Sequence, residues 1–246
     1  MKIEVQFWGA LARLAGETRR EVVVEEDATV ADLMRVLAQD ASICHCVEQC
    51  AFSIGTDIVP LTHTLQDGDQ LAALPAAVLI RHGTRKGLNF MGQDTPELEA
   101  ARIQSQALSL DLLLADTERA DCGALAIFCG TVRDHHEGKA VTGLEYTSHI
   151  PLAEKIVCDV EAETRQKFDV PVCRVQHRIG RLGIGETAII AVVRSAHRAE
   201  AFAALRYAVD ATKHRAPIWK EEFYPDGSST FVEGCCIAPE GETYDA

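Results

Sequence analysis

Positive charge is scarce in this chain: its 246 residues hold 24 Lys and Arg against 37 Asp and Glu, a formal net charge of -13. That balance excludes a nucleic-acid groove, which needs a basic domain to gather phosphates. Long apolar runs are missing too. No stretch approaches the roughly 18 residues of a membrane-spanning helix. The opening segment Met1–Phe7 alternates like a strand and lacks the apolar centre of a signal peptide, so the expected location is the cytoplasm. Nine cysteines are present, but the paired Cys-x2-Cys spacing of zinc sites is not. An odd count at scattered positions predicts reduced thiols rather than a disulfide framework. Cys44-His45-Cys46-x3-Cys50 is the densest group and Cys235-Cys236 the next; neither has a partner motif.

What is there reads as two units. Residues 1–80 alternate Ile3, Val5 and Phe7 on one strand and place Val22 and Val24 on a second. Thr29 then caps a helix, with Asp32 in capping-box position and Val30, Leu33, Met34 and Leu37 on one face. Strands near Phe52–Ile54 and over Gln70–Leu74, the latter after the turn Asp67-Gly68-Asp69, complete a small β-grasp, ubiquitin-like pattern. Residues 81–105 are rich in turn formers and read as a linker.

The second unit, 106–246, is mixed α/β, which makes the whole chain α+β. Strands are expected over Ala124–Val132, Val141–Thr147, Val172–Ile179, Glu186–Val193, Ile218–Tyr224 and Ser228–Val232. Pro151 opens a helix of about five turns. A second helix follows His197-Arg198 and must stop before Pro217.

Against the acidic background, residues 131–220 carry 14 Lys and Arg and 11 acids. The cations fall in three clusters: Thr131-Val132-Arg133-Asp134-His135-His136, Ser195-Ala196-His197-Arg198, and Lys213-His214-Arg215-Ala216-Pro217-Ile218-Trp219-Lys220. Arginine forks grip phosphate or carboxylate, a helix N-terminus favours an anion, and a lysine among cations is easier to deprotonate. If the clusters converge, they make a pocket for a small anion. Taken singly, each has a plainer explanation. Lys213, His214 and Arg215 complement a helix dipole, Lys220 is a solvated strand residue, His135-His136 caps a turn, and His177-Arg178 faces solvent.

Five runs in order carry a resemblance: Gly130-Thr-Val-Arg133-Asp-His135, Leu144-Glu-Tyr146, His177-Arg-Ile-Gly180, Ser195-Ala-His-Arg198 and Lys213-x-Arg-Ala-Pro-x-Trp-Lys220. Over these, the second unit resembles the large subunit of molybdopterin synthase, an α/β hammerhead-type domain. The first unit, ending in Leu65-x-Asp-Gly-Asp69 and Leu71-x-x-Leu-Pro75, is similar to the family's small, ubiquitin-like sulfur carrier. The resemblance implies a sulfurtransferase of molybdenum cofactor biosynthesis, in which a carrier thiocarboxylate gives sulfur to cyclic pyranopterin monophosphate to build the molybdopterin dithiolene. It implies Lys213 as the catalytic lysine and Lys220 as its support. Arg133, His197 and Arg198 would hold the pterin and its phosphate, with Thr131, Val132, Glu221 and Glu222 lining the site. No metal or cofactor is expected, and a homodimer through the second unit is. One departure stands out: the carrier family ends in Gly-Gly, whereas after Pro75 this chain reads Ala76-Ala-Val-Leu-Ile80 with no Gly-Gly nearby. A separate thiocarboxylated carrier is therefore expected. Two rivals remain: a pterin-binding or regulatory fusion without turnover, and a thiol-based protein using Cys44, Cys46 and Cys50.

Overall fold

The computed structural model describes residues 1–75 and 101–232. In β1 (Lys2–Phe7) the alternate residues Ile3, Val5 and Phe7 turn inward, as a period of two requires. A short helix, α1 (Gly9–Ala15), leads to β2 (Arg19–Val23). α1 goes beyond the sequence reading, because its seven residues follow Trp8, whose side chain makes no capping bond to announce them. α2 (Val30–Leu37) opens on a complete capping box, in which the Thr29 hydroxyl accepts from the Asp32 N–H and the Asp32 carboxylate accepts from the Thr29 N–H at 2.8 Å. One-turn α3 (Cys44–Val47), β3 (Ala51–Ile54), β4 (Asp57–Val59) and β5 (Gln70–Leu74) complete the unit. The sheet order is β2-β1-β5-β3-β4, with β1 and β5 parallel. A helix packed on such a sheet is a β-grasp fold, as the sequence pattern predicts.

The second unit runs β6 (Ile103–Gln104), α4 (Leu110–Asp116), β7 (Ala124–Thr131), β8 (His135–His136), β9 (Lys139–Ala140), β10 (Gly143–Ser148), α5 (Ile150–Phe168), β11 (Val172–Arg178), β12 (Gly180–Leu182), β13 (Thr187–Ser195), α6 (Arg198–Arg215), β14 (Ile218–Phe223) and β15 (Ser229–Val232). Two four-stranded sheets result, β6-β11-β13-β7 and β12-β10-β14-β15, with β8 and β9 as a separate ribbon. Most of the linker read from the sequence lies outside the described residues, but its end does not. Ile103–Gln104 already pairs with β11, and the Glu154 carboxylate accepts from the backbone N–H groups of Arg102 and Ile103 at 3.2 and 2.7 Å. Two residues are too few to show a strand period.

α5 and α6 pack side by side on the first sheet, burying Val157, Val160, Ala204 and Ala208 against Val175, Ala191 and Val193. α4 covers part of the opposite face, setting Leu113 on Ile190 and Val192. β7 is the free edge of that sheet, and its Leu125 and Ile127 are 44% and 38% exposed. α6 stops at Arg215, two residues before Pro217, because the proline ring would clash with a continuing helix. Among the described residues no helix is long and apolar enough to cross a membrane.

The two units meet along β14. Trp8 stacks on Trp219 with ring centroids 6.1 Å apart and planes at 18°, and its edge lies against His149 at 5.4 Å. Arg13 donates to Glu221 at 2.8 Å, and Lys155 to Asp57 at 2.7 Å. Ala72 and Leu74 of β5 join the apolar core of the second unit.

Candidate active site

Lys213 stands in the last turn of α6, and the chain reverses at Pro217 to bring Lys220 back on β14. β14 pairs antiparallel with β10, so Lys220 lies opposite Tyr146 and Glu222 opposite Leu144. β7 runs in beside them and releases Thr131, Val132 and Arg133 at its end. These elements enclose a cavity of about 360 Å³ lined by, among others, Thr131, Val132, Arg133, Lys213, Lys220 and Glu222. Six of the nine residues expected from the sequence therefore share one cavity. Two of the three cationic clusters do converge.

The third does not, within one chain. His197 and Arg198 line a different, shallower groove with Gly123 and Leu125. Fifteen residues of helix separate Arg198 from Lys213, about 22 Å at 1.5 Å per residue. The antiparallel pairing agrees, because Ser195 sits opposite Ala124, at the far end of β7 from Thr131. Both arginines follow strands, but the strands run in opposite directions, which sequence alone does not fix. Glu221 is also displaced from the expected site. Alternation along β14 turns it to the face away from the cavity, where it pairs with Arg13 and accepts from the Ser229 hydroxyl at 2.6 Å.

The charges inside the cavity are ordered. Glu222 is 3% exposed, with one carboxylate oxygen 2.9 Å from Lys220 Nζ and the other 2.9 Å from His136 Nδ1. Lys213 Nζ lies over the Phe128 ring, 5.4 Å from its centroid. Among the described residues no carboxylate stands within ion-pair distance of it. The two lysines are thus unlike: Lys220 is paired with a buried carboxylate, whereas Lys213 lines the cavity over an aromatic ring. The histidines also depart from the sequence reading. His135-His136 forms β8 rather than capping a turn, with His135 bonded to Asp134 at 2.6 Å, and that bond holds the Asp134 carboxyl below its usual range.

His177 is the residue that sequence reasoning placed wrongly. It is buried and lines the cavity, with Tyr146 edge-on at 4.7 Å. Its Nδ1 donates to the Arg178 carbonyl at 2.8 Å, which fixes the tautomer. Burial, reinforced by the Lys213 charge, pushes its pKa down to about 4, so the ring is neutral at physiological pH. The signal was available: His177 alternates in phase with Cys173 and Val175, both buried. The thiols of the first unit form no comparable centre. Cys50 donates to the Cys46 carbonyl at 3.2 Å, and its thiol draws Cys46 down to about 7. Among the described residues, no group of three or more His, Cys, Asp or Glu is placed to hold a metal ion.

A β-grasp carrier-type domain joined to an α/β domain with a lysine-bearing anion pocket defines a fused carrier and transferase. Comparison with known proteins agrees. Residues 103–215 match the MoaE protein family and residues 5–78 the ThiS family. The chain is 41% identical to the molybdopterin synthase catalytic subunit of Nostoc sp. over 144 residues, 57% of this chain and 87% of that one. It is 32% identical to the catalytic subunit from Bacillus subtilis over 157 residues, 60% of this chain and all of the relative. The crystal structure of molybdopterin synthase from Staphylococcus aureus superimposes with a TM-score of 0.52 at 31% identity, covering 55% of this chain and 98% of that one. The chain belongs to the molybdopterin synthase catalytic subunit family, and it is an enzyme of molybdopterin synthesis.

Proposed function

We propose that this chain transfers sulfur from the thiocarboxylate of a carrier protein to cyclic pyranopterin monophosphate, forming the molybdopterin dithiolene in two rounds. The observation that carries this reading is the meeting of Lys213, Lys220 and Arg133 in one cavity of an otherwise acidic protein. Arg133 suits the substrate phosphate, which it can grip in two places. Attack by the thiocarboxylate sulfur builds negative charge on the pterin. A fixed ammonium on Lys213 stabilises that charge more in the transition state than before it. In each round the pterin side-chain oxygen that the sulfur replaces leaves as water, and a second water cleaves the acyl–sulfur bond, so the sulfur stays on the pterin and the carrier leaves as a carboxylate. Lys220, Thr131, Val132 and Glu222 shape the site around this step, which needs no metal or cofactor. Glu221 belongs to the contact between the units.

His197 and Arg198 enter the same reading through a second copy of the chain. β7 is a free edge with exposed Leu125 and Ile127. Two β7 strands related by a twofold axis would run antiparallel, setting the start of one beside the end of the other. The His197-Arg198 corner lies by the start of β7 and Arg133 follows its end, so each cavity would receive the partner's pair. Mixing Lys213→Ala and Arg198→Ala chains tests this. Neither variant alone turns over, and statistical exchange of subunits restores roughly a quarter of wild-type activity. No recovery would show that each site is built within one chain.

The sulfur donor is a separate carrier, because no Gly-Gly follows Pro75. A thiocarboxylated small-subunit carrier added in the assay should supply turnover. A thiocarboxylate found by intact mass on a fragment of this chain ending between residues 76 and 87 would show that the fused unit carries sulfur itself.

A further inference from the structure

Glu222 presents a physical problem. A carboxylate buried at the wall of an anion pocket repels the ligand and is costly to desolvate unless both its oxygens are satisfied. Lys220 satisfies one. The other is taken by His136, which does not line the cavity but stands behind Glu222 on the β8–β9 ribbon, 86 residues away in sequence. All three side chains are well shielded, at 14% exposure for Lys220, 5% for Glu222 and 13% for His136. A carboxylate accepts only, so His136 must present Nδ1–H to it. The ribbon is built to hold that ring in place. Glu137 and Gly138 at its tip both take positive φ, 48° and 79°, giving a two-residue turn, and the Val141 N–H closes its base onto the Asp134 carbonyl at 2.7 Å.

We propose that His136 is a positioning residue of this active site. It clamps the Glu222 carboxylate in one rotamer, and Glu222 in turn fixes the Lys220 ammonium at the cavity wall. Without the clamp, Glu222 can rotate and Lys220 loses its anchor, while Lys213 keeps its place over the Phe128 ring. The sequence gives no sign of this arrangement, since its three residues lie on the ribbon and on alternate positions of β14.

The kinetic part of the test rests on the sulfur-transfer reading; the labelling part does not. In the assay with added thiocarboxylated carrier, His136→Ala should lower kcat roughly tenfold, the scale of a displaced catalytic group, with KM moved little. His136→Gln, which keeps an N–H donor, should recover most of that loss. Because His136 acts through Glu222, His136→Ala combined with Glu222→Gln should be no slower than Glu222→Gln alone. Additive losses, or a His136→Ala enzyme as fast as wild type, would overturn the proposal. Independently of turnover, trace acetylation read by mass spectrometry reports the Lys220 amine. It should be acetylated severalfold faster in His136→Ala and in Glu222→Gln, but at the wild-type rate in His136→Gln, with exposed Lys2 as the internal reference. Lys220 labelling that ignores all three changes would sink the clamp, whereas a wild-type chain that labels as expected but transfers no sulfur would count against the function alone.

Discussion

At the scale of single residues, environment rather than residue type separates the working groups. Lys213 and Lys220 are both lysines in one cavity, yet one rests on an aromatic face and the other is bound to a buried carboxylate. His177 shows the same principle with a measurable consequence. Its folded pKa, about 4, lies below the ordinary value of about 6.5. The unfolded chain therefore binds the extra proton first as the pH falls. The stability that neutral His177 contributes is complete above pH 6.5 and is lost as the pH drops towards 4. The difference corresponds to roughly 3 kcal/mol. His177→Gln should flatten this acid limb, so that urea denaturation of wild type and variant converges between pH 7 and pH 4. An unchanged limb in the variant would assign it to other groups.

At the scale of elements, β14 organises the molecule because its two faces serve different ends. Lys220 and Glu222 turn to the cavity, Glu221 turns to Arg13 of the first unit, and Trp219 stacks on Trp8 while also bordering the cavity. Alternation along a strand explains why Glu221, between Lys220 and Glu222, does not line the cavity. α2 illustrates an element whose sequence signal and structure coincide. Removing its cap with Thr29→Ala should cost about 1 kcal/mol of stability in the first unit, measurable by chemical denaturation. Four of the five β-grasp strands, the cap, Pro151 at the start of α5 and the stop before Pro217 were legible, because each depends on neighbours within a few residues. α1, α3, α4, β4, β6, β12 and the β8–β9 ribbon were not, being too short to show a period.

At the scale of the whole molecule, the fused unit is docked, not merely tethered. Both tryptophans of the chain, Trp8 and Trp219, lie in the contact between the units, and Trp219 also lines the cavity, so tryptophan emission of the ligand-free protein reports on that contact. Gly9 is the sensitive point. It takes a φ of +53°, and a Cβ there would come within 2.7 Å of Trp219 Cγ. Gly9→Ala combines left-handed strain of about 1 kcal/mol with an overpacking cost of about 1–3 kcal/mol. It should part the units and red-shift the tryptophan emission. An emission spectrum identical to wild type would mean that the contact tolerates the methyl group.

The sequence by itself determined the two units, most of their strands and helices, and the residue types of an anion-handling site, because local patterning and ordered motifs are written along the chain. Only the tertiary structure decided which cations share a cavity. Strand direction set His197 and Arg198 at the opposite end of the sheet from Arg133, and strand alternation sent Glu221 outward. Contacts between distant segments brought His177 to the cavity and tied His136 to Glu222. Convergence depends on the direction and register of strands paired across many residues, and no local rule carries that information.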